Sequence, residues 1–337
     1  YQRRNMIIAL KATISHTEAL ALAKQHESFL ITDDGKQLLI TSSSVKELPA
    51  SLKEDTENFW VMTNDIQLAS RKYRPQIREV AIGNILIGGN TKNTIVVGGP
   101  CSVESEEQIR SASIVLKELS LSTLRGGCYK PRTSPYSFQG LGIEGLRLLR
   151  KMKEEFGHTI ITEARDATQI HEIIEYTDVI QVGAKAMYDQ GILRACSKTN
   201  KTVLIKRGFG TTLQEFVQAA EFVMSGGNLN VVLCERGIRT FETSTRFTLD
   251  LCGVAWLKEH CNLPIILDPS HAMGYAYGVP SLTKACVAMG VDGLLIETHP
   301  NPSVALSDAS QQLNFEVFKT LINELKPLAN CVGYTIV

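Results

Sequence analysis

The stretch TIVVGGPCSVESEEQIRSASIVLKELS (94–120) decides the fold. Residues 94–99 are a short apolar run rich in β-formers, and 105–120 carry apolar side chains at helical spacing. The unit recurs. Further apolar runs stand at STLRGG (122–127), HTIITEA (158–164), DVIQVG (178–183), TVLIKR (202–207), NVVLCER (230–236), LPIILD (263–268) and DGLLIE (292–297). Amphipathic stretches such as TLQEFVQAAEFVMSGG (212–227) lie between them, and FEVFKTLINELKPLA (315–329) reads as a closing helix. Eight such units over about 240 residues predict a parallel α/β barrel, the (β/α)8 TIM barrel. An open doubly wound sheet would carry a glycine-rich dinucleotide loop after its first strand, and none is present.

Upstream, the pattern changes. MIIALK (6–11) reads as a strand and SHTEALALAKQH (15–26) as a helix capped by Ser15. FLIT (29–32) and QLLITS (37–42) flank the turn DDGK, a short helix is expected near 45–54, and FWVMT (59–63) is a last strand. That order, β-α-β-β-α-β, predicts a small ferredoxin-like module over 1–72. After the basic linker SRKYRP (70–75), REVAIGNILIGGN (78–90) reads as a hairpin turning at Gly83-Asn84 and placed to plug the N-terminal mouth of a barrel spanning 73–337. The leading YQRRN carries no structural expectation.

Composition narrows the function. The 337 residues are 44% hydrophobic and 21% charged, with 35 basic against 35 acidic side chains. No net field favours nucleic acid or an anionic membrane, so any anion site must be local. No apolar run reaches the roughly 18 residues of a membrane helix and no signal peptide is recognisable, so a cytoplasmic protein is expected. Eight cysteines without a C-x-x-C pair read as reduced and mostly buried thiols.

Active sites of this fold sit where the strands end. The first run leads to Cys101; the second to Arg125, Lys130 and Arg132; the third to Glu163; the fourth to Lys185; the fifth to Lys206 and Arg207. The sixth delivers Glu235 and Arg236, with Arg239 beyond; the seventh Asp268 and His271; the eighth Glu297 and His299, with Asp308 in the following loop. Unpaired charges at buried strand ends are costly, so a charged or metal-competent group after every strand is a functional signal. The cations Arg125, Lys130, Arg132, Lys185, Lys206 and Arg236 would repel one another unless they held phosphate or carboxylate groups. Cys101, His271, Glu297 and Asp308 form a mixed sulfur, nitrogen and oxygen set suited to a divalent ion such as Mn²⁺, Co²⁺, Fe²⁺ or Zn²⁺.

GGPCSVES (98–105), LRGGCYKPRTSPYSFQGLG (124–142), LIKRGF (204–209), LCERGIRTFE (233–242), LDPSH (267–271) and the IETHP to ALSD run (296–308) together resemble the 3-deoxy-D-arabino-heptulosonate 7-phosphate (DAHP) synthase family, type Iβ class, which opens the shikimate pathway. The resemblance covers nearly the whole chain, including the N-terminal ferredoxin-like module. It implies condensation of phosphoenolpyruvate with erythrose 4-phosphate, release of inorganic phosphate, and one divalent metal ion. Carried over residue by residue, it implies Cys101, His271, Glu297 and Asp308 as metal ligands, and Arg125, Lys130, Lys185, Lys206 and Arg236 around phosphoenolpyruvate, with Asp268 beside them. Arg132 and Thr133, adjoined by Ser134, match the phosphate site for erythrose 4-phosphate. Catalytic roles fall to Cys101, His271, Glu163 near the water that adds to phosphoenolpyruvate, and Lys130. A lysine among other cations can act as an acid near neutral pH. The resemblance further implies a homotetramer and feedback inhibition by tyrosine or phenylalanine through residues 6–64.

Two departures stand out. The family's usual G-A-R-N run is GAKA (183–186) here, so Lys185 stands where a bidentate arginine is expected. After DPSH the family commonly has glycine and basic residues, and this chain has AMGYAYGVP (272–280). Two other readings use the same cations: a related phosphoenolpyruvate–sugar phosphate synthase taking a different aldehyde, and a non-catalytic paralogue that senses an aromatic amino acid.

Overall fold

The computed structural model describes residues 5–42, 45, 47–130 and 134–337. The first part is a four-stranded antiparallel sheet, β1 (Asn5–Leu10), β2 (Phe29–Asp33), β3 (Lys36–Ile40) and β4 (Thr56–Met62), in the order β2-β3-β1-β4. Strand residues alternate between faces. Met6, Ile8 and Leu10 of β1 therefore meet Ala19 and Ala23 of α1 (His16–Gln25), while Ile7 and Ala9 join the large core that runs on into the barrel. Ser15 caps α1 in a reciprocal capping box with Glu18. The second helix expected near 45–54 is a single 3-10 turn, Ala50–Leu52, within the described residues. Pro49 lacks an N–H to donate, and only Leu52 of the turn is buried, so little holds a longer helix there.

Two antiparallel strands, β5 (Glu79–Ile82) and β6 (Ile85–Gly88), form the expected hairpin. Gly83 turns it at φ +61°, where a Cβ would collide with Thr159. Eight parallel strands among the described residues follow: β7 (Asn93–Gly99), β8 (Thr123–Arg125), β9 (Thr159–Ala164), β10 (Val179–Val182), β11 (Thr202–Lys206), β12 (Val231–Glu235), β13 (Ile265–Leu267) and β14 (Gly293–Glu297). Each pairs with the next, and β14 pairs back onto β7 from Gly293↔Ile95 to Glu297↔Gly99, which closes the barrel. A short β15 (Thr335–Ile336) adds to the start of β7.

Strands buried on both faces need apolar residues on both, and these have them. Ile95, Val97, Ile161, Leu204, Val232, Ile266 and Leu295 fill the barrel interior, where Val80, Ile82 and Ile87 of the hairpin pack against them and seal the N-terminal mouth. The alternate residues, among them Val96, Ile160, Val203 and Leu294, meet the surrounding helices. Those helices are α2 (Glu106–Glu118), α3 (Ile143–Phe156), α4 (Ile170–Tyr176), α5 (Gln190–Ser197), α6 (Leu213–Ser225), α7 (Leu251–His260), α8 (Pro269–Met273), α9 (Val279–Ala288) and α10 (Phe315–Cys331). Among the described residues no helix is long and apolar enough to cross a membrane.

The first sheet is fastened to the barrel by buried polar contacts. Arg78, just before the hairpin, makes a bidentate pair with Asp33 (2.9 and 2.7 Å) and donates to Asn262. From α6, the Glu221 carboxylate accepts the backbone N–H groups of Gln67 (2.6 Å) and Ala69 (2.7 Å).

Candidate active site

Glycines let the first two strand ends approach. Gly99 has φ +136°, and a Cβ on it would stand 2.2 Å from the Arg125 carbonyl oxygen; a Cβ on Gly127 would strike the Lys130 ammonium. The bare backbone thus brings Cys101, Arg125 and Lys130 together above β7 and β8.

Four donors converge on one point. Cys101 Sγ, a ring nitrogen of His271, and oxygens of Glu297 and Asp308 all lie within 4.8 Å of one another. His271 turns Nδ1 to Asp268 Oδ2 (2.8 Å), which leaves Nε2 facing Glu297 (3.5 Å) and Asp308 (3.8 Å). Asp268 also caps α8, accepting the His271 backbone N–H at 2.9 Å, so one carboxylate sets both the backbone and the ring of the histidine. The set fits a borderline divalent ion in softness and spacing.

Each sulfur or carboxylate donor faces a cation. Lys130 Nζ lies 3.1 Å from Cys101 Sγ, Arg125 Nη1 2.8 Å from Glu297 Oε1, and Arg246 Nη1 3.2 Å from Asp308 Oδ2. Burial opposes ionisation of Glu297 and Asp308, but His271, with Arg125 for the first and Arg246 for the second, outweighs it and holds both below the usual carboxylate range. Burial, reinforced by Glu297, pushes the Cys101 thiol up to about 12. A sulfur in this setting ionises when a divalent cation supplies the missing charge.

Beside this centre opens a cavity of about 380 Å³, lined by the cations Lys130, Lys185, Lys206, Arg236, Arg239 and Arg246 and by Glu163, His271 and Asp308. Lys206 is buried and bonded to Asp268 (2.5 Å). Burial holds the Arg236 guanidinium below its usual range, and its Nη1 is buried with no hydrogen-bond partner, as is Nε of Arg125. Unsatisfied donors of this kind await an acceptor, and the cation excess makes that acceptor an anion. Lys185, itself exposed, reaches the cavity from the 3-10 turn Ala184–Ala186. Glu163 accepts from Gln181 Nε2 (2.8 Å).

Not every strand-end residue joins the site. Arg207, one step past Lys206, points to the opposite side of its strand, where it pairs with Glu235 (2.9 Å) and Asp250 (2.8 Å). His299 likewise pairs with Glu104 (3.3 Å). Ser134 is exposed, with Oγ accepting from the Tyr136 N–H, and does not line the cavity. Arg132 and Thr133 lie outside the described residues.

Sequence reasoning missed Arg246 and the aromatic wall beside it. Arg236 stacks on Phe247 (4.1 Å), Phe247 on Phe209 (5.4 Å), and Arg239 on Phe209 (4.5 Å), an alternation of cations and rings. The one signal was the length of the loop 236–250, longer than most connections in such folds.

The model of the DAHP synthetase I family matches residues 61–331 of this chain. The chain belongs to that family. By that membership it is an enzyme, a DAHP synthase. It is 43% identical over 270 residues to the phospho-2-dehydro-3-deoxyheptonate aldolase of Thermotoga maritima, a match covering 80% of this chain and 79% of that one. The 2-dehydro-3-deoxyphosphooctonate aldolase of Fusobacterium nucleatum is 30% identical over 255 residues, 70% of this chain and 90% of that one. Among solved structures, the DAHP synthase of Thermotoga maritima superposes with a TM-score of 0.80 at 38% identity, covering 99% of this chain and 100% of that one. A truncated form of the Thermotoga maritima synthase covers 81% of this chain and 99% of its own, with a TM-score of 0.75 at 39% identity.

Proposed function

We propose that this DAHP synthase joins phosphoenolpyruvate to erythrose 4-phosphate in the cavity above the barrel, with Cys101, His271, Glu297 and Asp308 holding one divalent ion. The observation that carries the reading is the adjacency of that donor set to a cavity lined by six cations, among which Arg236 keeps an unsatisfied buried donor. Held there, Mn²⁺, Co²⁺, Fe²⁺ or Zn²⁺ would polarise the aldehyde of erythrose 4-phosphate.

The chain's own residues then do the rest. Arg125, Lys206 and Arg236 hold the carboxylate and phosphate of phosphoenolpyruvate, with Lys185 adding a point charge. The methylene carbon of phosphoenolpyruvate attacks the aldehyde carbon, and Lys130 gives a proton to the aldehyde oxygen. Water adds to the second carbon of phosphoenolpyruvate and its proton passes to Glu163. The hydroxyl so formed closes to the keto group as the bond from that carbon to the phosphate oxygen breaks; its proton leaves with the inorganic phosphate, and the proton on Glu163 returns to Lys130. Arg132 and Thr133 hold the far phosphate of the sugar; Ser134, outside the cavity, has no contact with it in this reading. Fixing both substrates in one cavity removes much of the entropy barrier.

The same reading divides the chain into a ferredoxin-like regulatory module (1–72) and the catalytic barrel (73–337), places it in the type Iβ class, and makes it a cytoplasmic homotetramer inhibited by tyrosine or phenylalanine. The strand order β2-β3-β1-β4 supports the module, as does the wider coverage of this chain by the first Thermotoga structure, 99%, than by the truncated form, 81%.

Phosphate release from phosphoenolpyruvate should require both erythrose 4-phosphate and metal, cease with a chelator and return with Mn²⁺. Release without the aldehyde, or unaffected by chelation, contradicts the reading; adding tyrosine or phenylalanine to the same assay checks the inhibitor. Lys185 keeps a charge and loses the fork of an arginine, so Lys185→Arg should lower the KM for phosphoenolpyruvate with kcat little changed. An unchanged or higher KM would show that this position does not limit binding.

A further inference from the structure

Two consecutive glutamines, Gln311 and Gln312, sit between Asp308 and α10 and are 0% and 1% exposed. A buried primary amide has to place two N–H donors and a carbonyl, so its partners reveal what it holds. Gln311 Nε2 donates to Glu297 Oε2 at 2.6 Å and lies 3.5 Å from Asp308 Oδ2, while its Oε1 accepts from Arg246 Nη1 at 2.5 Å. The amide can face only this way: reversed, its oxygen would meet carboxylates and its NH₂ a guanidinium.

Gln312 points elsewhere. Its Oε1 accepts the Cys101 backbone N–H at 3.0 Å, and its Nε2 donates to the Ser307 carbonyl at 2.8 Å. One dipeptide therefore grips three of the four metal donors, which arrive from the ends of β7 and β14 and from the loop after β14. Asp308 needs such support, because its φ of +46° lies in the left-handed region that non-glycine residues seldom occupy.

We propose that Gln311 is a positioning residue of the metal centre, locked by Arg246, with Gln312 fastening the cysteine side. The proposal rests on the metal reading above. A neutral donor suits the place: a further cation would oppose the ion, and an apolar side chain would let the two carboxylates turn apart. Gln311 does not line the cavity, so its influence reaches the ion rather than the substrates.

The test titrates the full chain, stripped of metal, with Co²⁺ alone against a competing chelator. The thiolate-to-cobalt absorption reports Cys101, and the visible bands report the geometry of the site. Gln311→Met keeps the length of the side chain and removes both polar ends. It should raise the free Co²⁺ at half-loading by roughly 10–100-fold and alter the visible bands. Arg246→Lys keeps the charge but loses the reach of the guanidinium, whose Nη1 touches both Gln311 and Asp308, and should shift half-loading by a smaller factor. Unchanged half-loading and spectrum in Gln311→Met overturn the proposal, as does a fall in melting temperature with cobalt affinity intact. If Gln311→Met does not fold, an unchanged titration of Arg246→Lys overturns it instead. Should the native chain show no thiolate–cobalt band, the metal reading falls and this proposal with it; a band present and identical in the variants overturns this proposal alone.

Discussion

Cys101→Ala should lower the rate of DAHP formation about a thousandfold or more, since Lewis-acid assistance is worth several kcal/mol and each 1.36 kcal/mol is tenfold in rate. The change is small in every other respect. Cys101 is 1% exposed and its Sγ meets Ser307, Lys130 and Asp308, so its loss removes one sulfur and its polar contacts while Gln312 still holds the backbone N–H of residue 101. His271, Glu297 and Asp308 would remain, an incomplete set of harder donors. Phosphate release at saturating Mn²⁺, read beside the melting temperature, separates lost chemistry from lost fold. A variant keeping more than a tenth of the native rate would remove Cys101 from the metal set.

Lys206→Met should cost both activity and stability. Lys206 and Asp268 are 3% and 0% exposed and bonded at 2.5 Å. Burial opposes the charge on Asp268, but His271 and Lys206 together hold its carboxyl well below the usual range. Removing the lysine strands that charge, and breaking a buried pair from one side costs about 3–5 kcal/mol. It also strips the cavity of a cation, one that the proposed function gives to phosphoenolpyruvate. Adding Asp268→Asn should restore much of the stability and none of the activity, because the misplaced charge disappears while the substrate contact stays lost. Urea unfolding and phosphate release measure the two effects; a single variant that unfolds at the native denaturant concentration refutes the argument.

The barrel was legible because parallel strands buried on both faces leave uninterrupted apolar runs, and eight of them with helices between admit few arrangements. Strand ends then pointed to the site. What one sequence cannot display is the direction of neighbouring side chains. Lys206 and Arg207 read alike as two cations after a strand, yet one enters the cavity and the other locks α7 through Asp250. Gln311 and Gln312 carry no periodic signal at all, since polar residues in loops look like solvent-facing ones until the fold buries them, and Arg246, still exposed at the cavity rim, reads as an ordinary surface residue. The 3-10 turn at Ala50–Leu52 went unread for the opposite reason: local propensity suggested a helix where packing supports one turn.

The hairpin β5–β6 has a consequence at the far end of the molecule. With Ile82 and Ile87 wedged beneath the inward side chains of the strands, the N-terminal end of the barrel is filled with apolar side chains, and the charged cavity lies at the other end. Whatever enters or leaves the cavity therefore passes on the side of the strands' C-terminal ends.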